Sequence, residues 1–238
     1  MSAFDEKCVI SPSLISVCDL CNLEGSVRAL EEAGIEMLHV DILDGHFSPS
    51  MPLGLDTVRQ LRKKTDLLFD VHLMTTAHDF FVQELLDIGV QQLVFHGEME
   101  PHMDNRLNQI HKAGVRAGVA LKPGTSLTML DYVLEKCDAV LLMLINPGYA
   151  QSKAEGQVPY AARKVQELHA RIRAQGLDTK VILDGRISKE NMRAFAPEGL
   201  ADIFVAGSTC LDKSDLKNSA IALRRFRESL LGGTETEV

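Results

Sequence analysis

Short apolar runs alternate with amphipathic stretches along this chain, and this alternation most constrains its fold. Eight runs are rich in Val, Leu and Ile, as expected for strands buried on both faces. They cover residues 8–11, 37–42, 67–73, 92–96, 116–121, 139–144, 180–183 and 203–206. Helical patterns lie between them at residues 23–33, 55–63, 80–88, 127–135, 159–175 and 215–231. The alternation predicts parallel strands joined by crossover helices.

Eight β/α units in 238 residues favour the α/β class, with a single closed (β/α)8 barrel, or TIM barrel. The main alternative is an open doubly wound sheet, which normally carries a glycine-rich fingerprint after its first strand. Here the first strand continues into Ser11-Pro12-Ser13-Leu14, without such a fingerprint. Residues 1–231 are therefore predicted to form one domain, with residues 232–238 as a disordered tail.

Charge and composition exclude several classes of partner. The formal net charge is -8 and no basic block is present, which argues against nucleic-acid and anionic-membrane binding. No run of roughly 18 apolar residues exists to span a membrane. The five cysteines are irregularly spaced and the N-terminus lacks an apolar signal core. We therefore expect a cytoplasmic protein without disulfides.

Polar residues stand near the ends of three predicted strands, where barrel enzymes carry their active sites. His39 and Asp41 are two residues apart in the second strand, so they share one face. Asp70 and His72 share a face of the third strand in the same way, and Asp184 ends the seventh. Because barrel interiors are normally filled by Val, Ile and Leu, these side chains need a specific explanation.

A shared cation is the favoured explanation for His39, Asp41, His72 and Asp184. Buried carboxylates are costly unless they are paired or bind a metal. Two imidazole nitrogens with two carboxylate oxygens suit Zn, Fe, Mn or Co better than Mg or Ca. The alternative is a hydrogen-bonded His/Asp network without a metal.

Three loops carry glycines suited to binding a phosphate group. Gly148 follows the sixth strand, Gly185 and Arg186 follow the seventh, and Gly207 and Ser208 follow the eighth. In many barrels the loops after strands seven and eight bind phosphate through backbone N–H groups. Three such loops side by side predict a phosphorylated substrate.

Several longer motifs occur together and in a recognisable order. They are Ile10-Ser11-Pro12-Ser13-Leu14, His39-Val40-Asp41-Ile42-Leu43-Asp44-Gly45-His46-Phe47, Asp70-Val71-His72-Leu73-Met74, Leu141-Leu142-Met143-Leu144-Ile145-Asn146-Pro147-Gly148, Asp184-Gly185 and Val205-Ala206-Gly207-Ser208. Over nearly its whole length the chain resembles the ribulose-phosphate 3-epimerase family, whose barrel is of the ribulose-phosphate-binding type. The His-x-Asp-x-x-Asp-Gly-His-Phe run is highly specific to that family.

The resemblance implies metal-dependent epimerisation at C3 of a ketose phosphate, foremost D-ribulose 5-phosphate to D-xylulose 5-phosphate, through an enediolate. It implies that Asp41 and Asp184 are both metal ligands and the acid–base pair. It also implies substrate contacts from Ser13 near the sugar, from Met74 and Met143 as an apolar wall, and from Gly148, Gly185, Gly207 and Ser208 at the phosphate. Related enzymes are dimers or larger, so a homo-oligomer is expected.

The chain departs from the family pattern at a few positions. Arg186 stands where the family usually has a second glycine, and Tyr149-Ala150-Gln151 replaces a glycine-rich run. Arg186 could bind phosphate or point to solvent. Lys122 precedes Pro123 where Asn is usual, while His96 matches a family histidine and is expected to be packed and hydrogen-bonded, without a catalytic role.

Three alternatives follow from these departures. One is an epimerase for another ketose phosphate, such as a tetrulose or hexulose phosphate. Another is a catalytically silent barrel that binds a sugar phosphate. A related barrel decarboxylase is disfavoured, because such enzymes typically carry Asp-x-Lys-x-x-Asp and no Lys stands beside Asp41.

Overall fold

The computed structural model describes residues 3–147 and 155–232. Eight parallel strands form a nearly closed (β/α)8 barrel, which confirms the predicted fold class. The strands are β1 (Val9–Pro12), β2 (Met37–Leu43), β3 (Leu68–Met74), β4 (Gln92–His96), β5 (Arg116–Leu121), β6 (Ala139–Met143), β7 (Lys180–Asp184) and β8 (Ile203–Ala206). Every predicted strand is present, with ends shifted by no more than one residue.

The strands follow the order β1-β8-β7-β6-β5-β4-β3-β2 around the sheet. Seven neighbouring pairs form regular parallel ladders, and β1 meets β2 through a single bridge between Ser13 and His39. The register sets His39 beside Asp70 and Asp41 beside His72. It also pairs Met143 with Asp184 on the far side of the barrel. Polar side chains from separate strands are thereby brought to one level of the interior.

Helices cover the outside of the barrel. They are α1 (Leu14–Val17), α2 (Leu23–Glu32), α3 (Leu55–Arg62), α4 (His78–Ile88), α5 (Met103–Lys112), α6 (Ala161–Ala174), α7 (Lys189–Phe195) and α8 (Leu216–Leu231). The helical patterns had not predicted α1, α5 or α7. None of the helices within the described ranges has the length and apolar character that crossing a bilayer needs.

The helix predicted at residues 127–135 was wrong. Two short 3-10 helices, Leu127–Leu130 and Leu134–Lys136, occupy this segment. Leu127, Leu130 and Val133 are buried at intervals of three residues, which matches the three residues per turn of a 3-10 helix. The amphipathic pattern was correct, but its period is that of the tighter helix.

Two apolar clusters hold these layers together. The larger lies between the strands and the surrounding helices. The smaller fills the barrel itself and includes Met37, Val94, Leu141, Ile182 and Val205. Because apolar side chains occupy this part of the interior, the buried polar residues of β2, β3 and β7 form a distinct polar group.

Candidate metal centre and active-site pocket

Four side chains from β2, β3 and β7 converge, as the sequence predicted: His39, Asp41, His72 and Asp184. Each offers one ligand atom, and these atoms all lie within 4.8 Å of one another. His39 Nε2 lies 3.4 Å from Asp41 Oδ1 and 3.9 Å from Asp184 Oδ2. His72 Nδ1 lies 3.6 Å and 3.4 Å from the same two oxygens.

This arrangement fits a bound metal ion. Ligand atoms about 2.1 Å from one tetrahedral ion lie about 3.4 Å apart, close to the separations observed here. His39 Nε2 and His72 Nδ1 are buried without a hydrogen-bond partner among the described residues, which is costly unless a ligand takes their lone pairs. The donor set therefore favours the metal site over a self-satisfied His/Asp network, and it fits a divalent ion.

The electrostatics of the cluster also favour a cation. Burial by itself would lower the pKa of His39, but the carboxylates of Asp41 and Asp70 raise it well above its usual value. Burial opposes ionisation of Asp41, yet the neighbouring His39 and His72 lower its pKa. Three carboxylates thus surround two imidazoles, and their negative field attracts positive charge.

Further polar residues orient the cluster from behind. Asp70 is fully buried, with Oδ2 2.9 Å from His39 Nδ1, and it accepts a 2.8 Å hydrogen bond from Gln92 Nε2. A proton on His39 Nδ1 leaves Nε2 free to face the other ligands. Ser13 Oγ donates to Asp41 Oδ2 at 2.8 Å, so the end of β1 also supports the site.

His96 is buried and hydrogen-bonded, as predicted. Its Nε2 lies 3.0 Å from His72 Nε2, and its Nδ1 lies 2.9 Å from Glu98 Oε2. Burial lowers the pKa of His96 to about 4. Burial opposes ionisation of Glu98, but hydrogen bonds from His96 and Thr125 lower its pKa to about 2. Sequence reasoning missed Glu98, although its position two residues after His96 at a strand end was a usable signal.

A pocket of about 310 Å³ opens beside the cluster. Asp41 and Asp184 both line it, and so do the predicted substrate residues Ser13, Met74 and Met143. The other lining residues are Ile15, Ser16, Leu43, Ser50, Pro52 and Ile145. A small polar molecule in this pocket could therefore touch both carboxylates and an apolar wall.

The predicted phosphate residues of the loops after β7 and β8 are not among those that line this pocket, although Gly185 directly follows the lining residue Asp184. Gly185 has a φ of 109°, and a Cβ there would lie 2.8 Å from Ile145 Cγ1, so only glycine fits. A Cβ on Gly207 would lie 3.7 Å from Ser16 Cβ. The backbone N–H groups of Gly207, Ser208 and Thr209 have no acceptor among the described residues. Gly148 lies outside the described residues.

Arg186 adopts a backbone conformation that side chains rarely take. Its φ is 50°, in the left-handed region, and the residue is half-buried. For a residue other than glycine this conformation costs of order 1–2 kcal/mol. Half-burial speaks against a freely solvated side chain.

The fold and the site together define a class: a (β/α)8-barrel enzyme with a candidate His2Asp2 metal centre at the C-terminal ends of its strands. A model of the ribulose-phosphate 3-epimerase family matches residues 9–211. The chain belongs to the ribulose-phosphate 3-epimerase family and is an isomerase of the epimerase type.

Curated relatives agree over most of the chain. Ribulose-phosphate 3-epimerase of Escherichia coli K12 is 35% identical over 211 residues, covering 88% of this chain and 91% of that protein. The enzyme of the same name from Methanocaldococcus jannaschii is 34% identical over 222 residues, covering 93% of this chain and 91% of its own.

Solved structures share the fold at much lower identity. A 3-keto-L-gulonate-6-phosphate decarboxylase from Vibrio cholerae has a TM-score of 0.68 at 12% identity, covering 94% of this chain and 99% of that chain. A phosphoribosyl anthranilate isomerase from Thermus thermophilus has a TM-score of 0.62 at 16% identity, covering 92% and 100%. These likenesses concern the barrel alone.

Proposed function

We propose that this chain interconverts D-ribulose 5-phosphate and D-xylulose 5-phosphate by epimerisation at C3. The observation that carries the proposal is the pair of carboxylates, Asp41 and Asp184, which belong to the metal cluster and also line the adjacent pocket. The relatives that match most of the chain carry the name of this activity.

The chemistry requires a group on each face of the reacting carbon. A C–H next to a ketone is a weak acid, so removing its proton creates an enediolate that needs stabilisation. A divalent ion held by His39, Asp41, His72 and Asp184 would supply a Lewis acid, with Zn, Fe, Mn and Co all compatible. Asp41 and Asp184 would then work as a pair, the ionised one removing the proton and the neutral one delivering a proton to the opposite face.

The remaining pocket residues would hold the substrate. Ser13 would contact the sugar while it orients Asp41. Met74 and Met143 would keep water away from the planar intermediate. The free N–H groups of the loop after β8, at Gly207 and Ser208, together with Gly185 and Arg186, would bind the phosphate group, with Gly148 from the loop after β6.

A different ketose phosphate is the second candidate substrate. The strained backbone at Arg186, where the family usually has glycine, favours it, because a guanidinium in the loop after β7 would change how the phosphate is placed. A tetrulose or hexulose phosphate would use the same two carboxylates.

Deuterium incorporation separates these possibilities. The metal-loaded protein would be incubated in D2O with a panel of ketose phosphates, ribulose 5-phosphate first, and C3 followed by proton NMR. We expect epimerisation with deuterium at C3, fastest for ribulose 5-phosphate and lost on chelation. Faster exchange with another ketose phosphate would identify that compound as the preferred substrate. No exchange with any member of the panel would refute the epimerase proposal.

A further inference from the structure

A line of three side chains runs from the metal cluster to the end of β4. His72 Nε2 lies 3.0 Å from His96 Nε2, and His96 Nδ1 lies 2.9 Å from Glu98 Oε2. Both imidazoles are fully buried, and 15% of the Glu98 side chain is exposed. Two imidazole nitrogens this close form a hydrogen bond with one proton between them, so one ring donates and the other accepts. The line of hydrogen bonds therefore has a direction.

Glu98 determines that direction. Its Oε1 accepts the backbone N–H of Lys122 at 2.7 Å and the hydroxyl of Thr125, so the carboxylate acts as an acceptor. His96 therefore donates from Nδ1 to Glu98 Oε2. A neutral imidazole has only one N–H, so His96 Nε2 accepts and His72 Nε2 donates. The lone pair of His72 is then on Nδ1, which faces Asp41 and Asp184.

We propose that Glu98 and His96 are positioning residues that fix the tautomer of His72 and thereby set the affinity of the metal site. Ligating histidines commonly bond a second group through their other nitrogen, but here the orienting carboxylate acts through an intervening imidazole. The proposal rests on the proposed function only in taking the cluster to hold a divalent metal. It does not depend on which sugar phosphate reacts.

Glu98 also fastens the loop after β5, which is a separate structural role. The contacts with Lys122 and Thr125 would be disturbed by any large change at Glu98. Thr125→Val removes one of these contacts and leaves the line to His72 intact. It is therefore the matched control for effects of the loop.

Glu98→Gln reverses the donor–acceptor direction of the hydrogen bonds to His96 and His72 while keeping the shape of the side chain. Because the Lys122 N–H still needs an acceptor, the new amide oxygen faces Lys122 and the amide NH2 faces His96. His96 Nδ1 must then accept, and the proton of His72 moves to Nδ1, where it blocks metal binding. We expect Zn2+ affinity, measured by competition with a chromophoric chelator, to fall about 10–100-fold, while Thr125→Val leaves it unchanged.

The tautomers can be measured directly. At a pH high enough for both rings to be neutral, NMR of metal-free wild-type protein labelled with 15N in its histidine rings should show His72 protonated only at Nε2 and His96 only at Nδ1. A neutral wild-type His72 with its proton on Nδ1 would overturn the proposal, whether or not the variant folds. Wild-type Zn2+ affinity in folded Glu98→Gln would also overturn it. Both readouts need no substrate, so failure of ribulose 5-phosphate to react would count only against the proposed function.

Discussion

Asp184 is the least enclosed of the four candidate metal ligands. Its side chain is 16% exposed, against 7% for Asp41 and none for either histidine. It ends β7, where it lines the pocket and reaches within 3.4 Å of His72 Nδ1. This position suits a group that exchanges protons with a bound substrate, so a change at Asp184 should affect chemistry far more than folding.

We predict that Asp184→Asn abolishes turnover with the fold intact. An amide cannot accept the substrate proton and is a poorer ligand, so the loss should be at least about 100-fold. Deuterium exchange at C3 measures the rate, and circular dichroism checks the fold. Asp178→Asn, at an exposed position two residues before β7, is the matched control. Wild-type turnover in folded Asp184→Asn would refute the assigned role.

Arg186 combines backbone strain with a position two residues after Asp184, which lines the pocket. Residues other than glycine rarely hold a φ of 50°, and they persist there only when the surroundings enforce it. Strain of this kind is often retained for function. We therefore expect substitutions at Arg186 to separate stability from substrate binding.

We predict that Arg186→Gly raises the free energy of unfolding by up to about 1 kcal/mol, because glycine adopts positive φ without cost. The same variant should raise the Michaelis constant for the phosphorylated ketose more than it lowers kcat. Arg186→Ala keeps the strain and removes the guanidinium, so it should share only the kinetic change. Urea unfolding and steady-state kinetics give both values. An unchanged Michaelis constant in both variants would contradict a phosphate role.

At the scale of elements, Asp44 joins the loops that follow β2 and β3. It accepts from the backbone N–H groups of His46, Phe47 and Thr76 and from the Thr76 hydroxyl, at 2.6 to 2.9 Å. Burial opposes its ionisation, but the donors of Thr76, Phe47 and His46 lower the pKa of Asp44 to about 2. One carboxylate thus holds together the rim above two cluster-bearing strands.

We predict that Asp44→Asn destabilises the protein by about 1–2 kcal/mol at pH 7, because an amide offers one acceptor oxygen where the carboxylate offers two. The folded pKa lies below the usual 3.8, so the stabilisation is present above about pH 4 and is lost as the pH falls toward 2. The difference in the free energy of unfolding between wild type and variant, measured by urea unfolding, should therefore decrease from pH 7 to pH 3.

Both proteins contain the candidate metal ligands, so the titration of these residues contributes equally to both free energies of unfolding and cancels in the difference. Asp56→Asn is the control, because the Asp56 side chain is 94% exposed. A difference in the free energy of unfolding that stays constant across this pH range would show that Asp44 does not stabilise the rim through its charge.

At the scale of the whole molecule, the cluster links distant parts of the barrel. Its ligands come from β2, β3 and β7, and β7 is separated from β3 by β4, β5 and β6. The seam between β1 and β2 has a single bridge, at Ser13 and His39, and the Ser13 hydroxyl also binds Asp41. A metal held there should therefore stabilise the whole barrel.

We predict that Zn2+ raises the melting temperature of the metal-free protein. At a free concentration of 100 times its Kd, a ligand of the folded state contributes about 2.7 kcal/mol. For a chain of this size, that corresponds to a rise of about 5–10 °C. A chelator should reverse the rise, and Asp184→Asn should show a smaller one. Equal melting temperatures with and without saturating Zn2+ would contradict a metal centre in this cluster.

The sequence by itself determined the strands and the composition of the cluster. Each strand is a short apolar run rich in Val, Leu and Ile, so its ends could be placed within one residue. Strand alternation put His39 and Asp41 on one face, and the cost of burying carboxylates predicted a shared metal. These inferences succeeded because they depend on local periodicity and on the chemistry of each residue type.

Only the tertiary structure decided which side chains meet across strands. Glu98 is 26 residues from His72 in sequence, and their connection through His96 exists because β3 and β4 are neighbours in register. The positive φ of Arg186 likewise depends on surroundings that exist only in the folded barrel. Local patterns carry no information on such contacts, because they arise between residues that the chain brings together only on closing.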